Sequence, residues 1–164
     1  MLILHLNREY IVDLIQEIKV LAKDILPEII DIRQYLHAHP ELSFNEVHTA
    51  AFIAGMLDKV GVNYTGGWAG HGIVAEIKGQ SDRVVALRAD MDALPIFEAN
   101  DKPYKSVNPG IMHACGHDVH MASLIGAILI LYKLKAPLPH SIRFIFQPGE
   151  EKLPGGASMM IREG

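Results

Sequence analysis

The sequence has 164 residues, the size of one domain, in which a single core can bury roughly 70% of the surface the unfolded chain exposes. Apolar residues make up 49% and charged residues 21%, which places the chain among soluble globular proteins and excludes a disordered or fibrous one. Fifteen basic residues against 19 acidic ones give a formal charge of −4, and no basic run is long enough to neutralise several phosphates, so a nucleic-acid partner is excluded.

A lone cysteine, Cys115, rules out an internal disulfide and suits a reducing cytoplasm. The opening Met1-Leu2-Ile3-Leu4-His5-Leu6 is apolar, but it is too short for a signal core, lacks a basic segment before it and runs into Arg8-Glu9. The longest apolar stretch, Ala122 to Tyr132, is about half of a membrane span. No membrane association is expected, and a cytoplasmic location is.

No repeat, low-complexity tract or linker interrupts residues 1–164, which are read as one unit. Apolar residues at Ile11, Leu14, Ile15, Ile18 and Leu21 follow a helical period. Pro27 is expected to interrupt it before Ile29, Ile30, Ile32 and Leu36 resume, and His39-Pro40 to end it. Ser43 to Glu46 offer caps for a further helix through Ala50, Ile53, Met56, Leu57 and Val60, stopped by Gly61.

The pattern then changes. Gly72 to Ile77 and Arg83 to Arg88 read as strands joined by the turn-forming Lys78 to Asp82. After a Pro/Gly/Asn-rich loop from Asp101 to Gly110, a helix apolar on nearly all faces runs from about Asp118 to Leu134 and is closed by Pro137 and Pro139. Ser141 to Phe146 is a strand, and Ala157 to Arg162 opens one more helix. This succession implies an α/β three-layer sandwich around a mostly parallel mixed sheet, in which ligands gather beyond the carboxyl ends of the strands.

Three segments lie there: Ala89 to Asp92, His113 to Asp118, and Pro148 to Glu151. Cys115 and His117, two apart in a loop, can turn toward one ion, and the helix start at Asp118 is expected to favour the thiolate. A small buried cysteine beside a surface histidine would look the same. Glu150 and Glu151 directly follow an apolar strand, so one carboxylate can bind metal while its neighbour serves as base. A solvated acidic turn is the alternative. Asp90 and Asp92 end another strand, placed either to ligate, to fix a ligand imidazole, or merely to cap a loop. His113 and His120 read as hydrogen-bonded structural histidines, and His5, His48, His71 and His140 as surface or turn residues. Spacing gives no role to His37, His39 or Asp118.

Four strings occur in order: Tyr35-Leu36-His37-Ala38-His39-Pro40-Glu41-Leu42-Ser43-Phe44, Leu87 to Pro95, Met112 to Asp118, and Phe146-Gln147-Pro148-Gly149-Glu150-Glu151. Together they resemble the amidohydrolase branch of the aminoacylase and carboxypeptidase metallopeptidases. That branch includes hippurate hydrolases, N-acyl-amino-acid amidohydrolases and auxin-conjugate hydrolases. The resemblance implies a zinc-exopeptidase-like catalytic domain with two divalent ions (zinc, manganese, cobalt or nickel) that cleaves the amide bond of small N-acylated substrates.

Residue by residue, Cys115 resembles the bridging ligand, His117 and Glu151 further metal ligands, and Glu150 the general base that activates water. Asp90 resembles an aspartate that in other branches supports a histidine two positions before it, a position held here by Arg88. Family members continue beyond this length with two more histidine ligands, a dimerising lid domain and the last strands of the sheet. The chain is therefore expected to be a truncated catalytic domain with an exposed sheet edge, holding at most one metal and turning over little or no substrate. Two alternatives are a non-catalytic remnant that binds one metal or a partner chain, and a cysteine hydrolase using Cys115 as nucleophile. The substrate pocket is not legible.

Overall fold

The computed structural model describes residues 8–134 and 136–164, with side chains from residue 11 onward; the apolar start and His5 lie outside the described residues. Four helices and four strands follow in the order α1 (Arg8–Ala38), α2 (Val47–Val60), β1 (Tyr64–Trp68), β2 (Gly72–Ile77), β3 (Val84–Asp90), α3 (His117–Leu134), β4 (Ser141–Gln147) and α4 (Gly156–Glu163).

Pro27 does not interrupt the first helix: α1 is continuous over 31 residues with Pro27 inside it. Its ring is exposed, so the carbonyl it leaves without a partner can be hydrated, and the flanking Ile25 and Ile32 hold the helix to the core. The helix ends where His39-Pro40 was expected to end it. Gly61 terminates α2 with φ 81, a left-handed C-cap whose N–H reaches the Leu57 carbonyl at 2.9 Å. The start of α2 is capped differently from the expectation. No side chain among Ser43 to Glu46 does it; the Glu41 carboxylate accepts the N–H groups of His48 (3.1 Å) and Thr49 (2.8 Å).

The strands form one mixed sheet in the order β1-β2-β4-β3. β1, which has too many glycines to register as a strand in the sequence, makes an antiparallel hairpin with β2. The turn between β2 and β3 does not make them neighbours, because β4 enters between them, antiparallel to β2 and parallel to β3. Parallel character is thus confined to the β3–α3–β4 crossover, where an intervening helix makes parallel pairing possible.

One sheet face carries Ile73, Ala75, Ala89, Phe144 and Phe146 into a core shared with Ile25, Ile32 and Leu36 of α1, Ile53 and Leu57 of α2, and Met121, Ile125 and Ile128 of α3. By length and composition α3 could cross a membrane, yet half of it is buried in this core. The other face carries Val74, Glu76, Arg143 and Ile145, which line an open groove with Met160 and Ile161 of α4. At the β3 edge Val84, Val85 and Leu87 are exposed, a strand with one side unpaired among the described residues.

Candidate metal centre

Two single-residue bridges, Leu42 to Ala93 and Leu94 to Met112, sew the loops after α1, after β3 and before α3 together at one end of the sheet. β3 passes through Asp90 into Met91 and Asp92, both fully buried, and Met91 N–H continues the ladder to the Gln147 carbonyl at 2.9 Å. Asp92 therefore lies beneath the loop that leaves β4.

Asp92 is the hub. Its Oδ2 accepts the Ser43 hydroxyl at 2.6 Å and the Glu151 N–H at 2.9 Å, and its backbone carbonyl accepts from His117 Nδ1 at 2.8 Å. Burial pushes the Asp92 carboxyl up, but bonds from His117, Ser43 and the N–H groups of Glu151 and Glu150 outweigh it and hold it down at about 2. Burial likewise lowers His117, and the Asp92 carboxylate with its carbonyl overcomes this and raises the imidazole to about 9. A carbonyl can only accept, so Nδ1 carries hydrogen and Nε2 is the nitrogen left to face the loop. Pattern left Asp90 and Asp92 equally open to the supporting role and the resemblance pointed to Asp90; it is Asp92 that meets His117, while Asp90 meets Arg88 Nε at 3.3 Å.

The loop after β4 is held from both sides. Gly149 N–H donates to Oε1 of Glu46 at 2.7 Å, and Glu46 is fully buried. Glu150 and Glu151 then turn outward, each with a carboxylate oxygen 4.0 Å from His117 Nε2. Cys115 is exposed, and its sulfur, one nitrogen of His117 and one oxygen of Glu151 lie within 4.8 Å of one another. Donors that bind zinc at about 2.0–2.3 Å stand roughly 3.4–3.8 Å apart at tetrahedral angles, so small side-chain rotations close the gap.

The thiol differs from expectation. A hydrogen bond with Glu151, then burial, then the charges of Glu151, Glu150 and Asp92 push Cys115 up, outweighing the helix start at His117. A concentration of acidic groups around a thiol and an imidazole whose Nε2 proton a metal would displace is suited to a doubly charged cation, which would reverse that shift. The donor set fits a divalent metal.

Behind the loop is a second polar cluster. His37, to which spacing gave no role, is buried between two carboxylates, with Nδ1 2.8 Å from Asp118 and Nε2 2.9 Å from Glu98. Arg33 Nε reaches the same Asp118 oxygen at 2.8 Å, and Ser106 N–H donates to Glu98 at 2.7 Å. These bonds fix the first turn of α3, one residue from His117. His113 does not match its expected hydrogen-bonded role: it is buried and neither ring nitrogen has a partner. Burial lowers it to about 4.

Ser43, Glu46 and His37 are site-supporting residues that spacing did not reveal. The signal available for them was their place within or next to the recognised string ending at Phe44.

The sequence profile of Peptidase family M20/M25/M40 matches residues 86–164, which carry Asp92, Cys115, His117, Glu150 and Glu151. Residues 86–164 thus carry the likeness to that family. It is 46% identical over 150 residues to an N-acyl-L-amino acid amidohydrolase of Geobacillus stearothermophilus, covering 91% of this chain and 40% of that protein. It is 45% identical over 138 residues to an N-acetylcysteine deacetylase of Bacillus subtilis, covering 83% and 36%. Among solved structures, the Bacillus subtilis YXEP protein, described as a dinuclear metal binding peptidase of the M20 family, superposes with a TM-score of 0.80 at 44% identity over 85% of this chain and 39% of that one. The chain thus spans about two-fifths of the length of these relatives. They are hydrolases, and the mixed α/β sheet is common to them.

Proposed function

We propose that residues 1–164 form part of the catalytic domain of a metal-dependent amidohydrolase acting on N-acyl amino acids or related small conjugates. The convergence of Cys115, His117 and Glu151 supports this reading, with Glu150 beside them and 4.0 Å from His117 Nε2. Cys115 Sγ, His117 Nε2 and a Glu151 oxygen hold one divalent cation, which supplies a Lewis acid for the amide carbonyl. Glu150 is not needed as a ligand and stays free. It takes a proton from the attacking water and returns it to the departing amine, which keeps proton and charge in balance across hydrolysis.

The remaining residues of this site set geometry. Asp92 fixes the His117 ring and, through the Glu151 N–H, the strand of backbone bearing both glutamates. Glu46 fixes Gly149 one residue before the base. The single thiol beside a metal site suits a reducing cytoplasm. Three protein ligands satisfy one cation where the Bacillus subtilis YXEP protein is described as dinuclear, so this chain holds one ion of a two-ion centre and hydrolyses acyl amino acids very slowly or not at all.

The test is a hydrolysis and metal assay on the purified chain. Equilibrium dialysis against zinc or manganese followed by elemental analysis should find one ion bound, reduced in Cys115→Ser and lost in His117→Ala. A chain that binds no divalent ion would overturn the ligand set, and rapid turnover of N-acetyl amino acids would overturn its incompleteness. Inactivation of any residual turnover by mild thiol alkylation but not by a chelator would favour the cysteine-nucleophile alternative.

A further inference from the structure

His117 stands in a second group of ligand-type side chains. One carboxylate oxygen of Asp90, one nitrogen of His117 and one nitrogen of His120 also lie within 4.8 Å of one another. His117 and His120 are three apart on α3, which puts them on one helix face, and their ring centroids are 5.7 Å apart. Asp90 ends β3 opposite that face.

A second observation points to a ligand. The Asp90 side chain is 10% exposed, and its Oδ1 is buried with no hydrogen-bond partner. The Arg88 guanidinium meets both Asp90 oxygens, with Nε 3.3 Å from Oδ1 and Nη2 donating to Oδ2 at 3.3 Å, but its side chain is half exposed, so a cation at Oδ1 would have to displace only a long, solvent-facing ion pair. A buried carboxylate oxygen whose ion pair lacks hydrogen-bond geometry is under-compensated, and metal coordination is one arrangement that would satisfy it.

We propose that Asp90, His117 and His120 form a second seat for a divalent transition-metal ion, alternative to the seat at Cys115 and Glu151. The two seats exclude each other because they share His117. Its Nδ1 donates to the Asp92 carbonyl, so both must use Nε2, and one lone pair binds one ion. The chain then takes a single ion distributed between a thiolate-containing seat and a nitrogen–oxygen seat. Soft, thiophilic ions favour the first; ions that prefer nitrogen and oxygen donors shift toward the second. The inference shares His117 with the proposed catalytic centre but needs neither Cys115 nor Glu151.

Cobalt(II) is the probe. A Cys115→Ala/Glu151→Gln chain should still bind one cobalt ion in equilibrium dialysis, without the thiolate charge-transfer absorption of the unaltered chain. Adding His120→Ala, an exposed position, should weaken that binding at least about tenfold, and adding Asp90→Asn should do the same. A folded double variant that binds no cobalt would overturn the second seat, as would an affinity unmoved by His120→Ala. Should the double variant not fold, Cys115→Ala alone alters only an exposed side chain, and zinc added to it should shift the His120 ring resonances in NMR; unmoved resonances at saturating zinc would overturn the proposal equally. Absence of the thiolate band in the unaltered chain would instead count against the Cys115 seat and leave this one standing.

Discussion

The ring of Phe44 fills the space that any side chain at Gly149 would need: a Cβ built there lies 2.4 Å from Phe44 Cε1 and Cζ. Gly149 also has φ 57, which glycine adopts freely, and Phe44 has φ 65, which is strained, so two left-handed backbones interlock directly behind Glu150. Gly149→Ala should therefore destabilise the chain by about 2–4 kcal/mol, combining overpacking with left-handed strain. Urea denaturation would measure this, and Phe44→Ala in the same chain should recover part of the loss. A cost below about 0.5 kcal/mol would show that the loop repacks freely.

Glu150→Gln should leave cation affinity within about twofold, because a charge at this position is not used for ligation, whereas Glu151→Gln should weaken it at least about tenfold. Isothermal titration with zinc separates the two. Equal losses for both variants would contradict the division of labour between adjacent carboxylates.

The thiol of Cys115 is pushed above its ordinary range by Glu151 and the nearby acidic charges. Without metal, alkylation by iodoacetamide should rise with pH around a midpoint above that of a free cysteine. Glu151→Gln should bring the midpoint down, and zinc should protect the thiol altogether. A midpoint below the free value would contradict the electrostatics described for this loop.

His113 gives the metal-free protein a pH dependence of definite sign. Its folded value of about 4 lies below the 6.5 of an exposed histidine, so the unfolded chain takes up the proton first. This contribution is intact above pH 6.5 and falls as pH drops toward 4, by up to about 3 kcal/mol, whereas His117, raised to about 9, contributes fully below pH 6.5 and loses that contribution as pH rises toward 9. Asp92, held at about 2 against 3.8, contributes stability that is intact above 3.8 and is lost only as pH falls toward 2. Chemical denaturation at pH 7 and pH 4.5 in chelator should show the His113 effect, and His113→Gln should flatten it. An unchanged slope in that variant would assign the acid sensitivity elsewhere.

His37→Ala should cost about 3–5 kcal/mol, because it leaves the Asp118 and Glu98 carboxylates facing each other across a buried gap. Amide exchange should speed up in the first turn of α3 and in the 98–106 loop before it does so in β2. Uniform acceleration throughout would mean that the network supports the whole fold and not this corner.

Much of the architecture was legible because it depends on periodicity and punctuation. The spacing from Ile11 to Leu36, Gly61 after Val60, and the apolar run of Ser141 to Phe146 each report a local requirement. Pro27 misled because whether a helix tolerates proline depends on whether the orphaned carbonyl meets water, a tertiary fact. The sheet order was hidden for the same reason: local pattern identifies a strand but not its neighbour. At the site, Cys115, His117, Glu150 and Glu151 stood out as reactive types in loops after strands. Asp92 did not separate from Asp90, since two residues apart on a strand end they differ only in what lies beneath each. Ser43, Glu46 and His37 act across long sequence separations, and nothing local marks such a partner.

The insertion of β4 between β2 and β3 has a consequence for how the protein comes into being. On the ribosome, the strand that fills the centre of the sheet emerges roughly sixty residues after β2, a wait of several seconds at about 5–20 residues per second. Throughout that interval Ile73, Ala75 and Ala89 have no Phe144 or Phe146 to pack against. The nascent chain thus presents sticky strands to its surroundings, and holding by cellular chaperones would matter more for its yield than the stability of the finished fold.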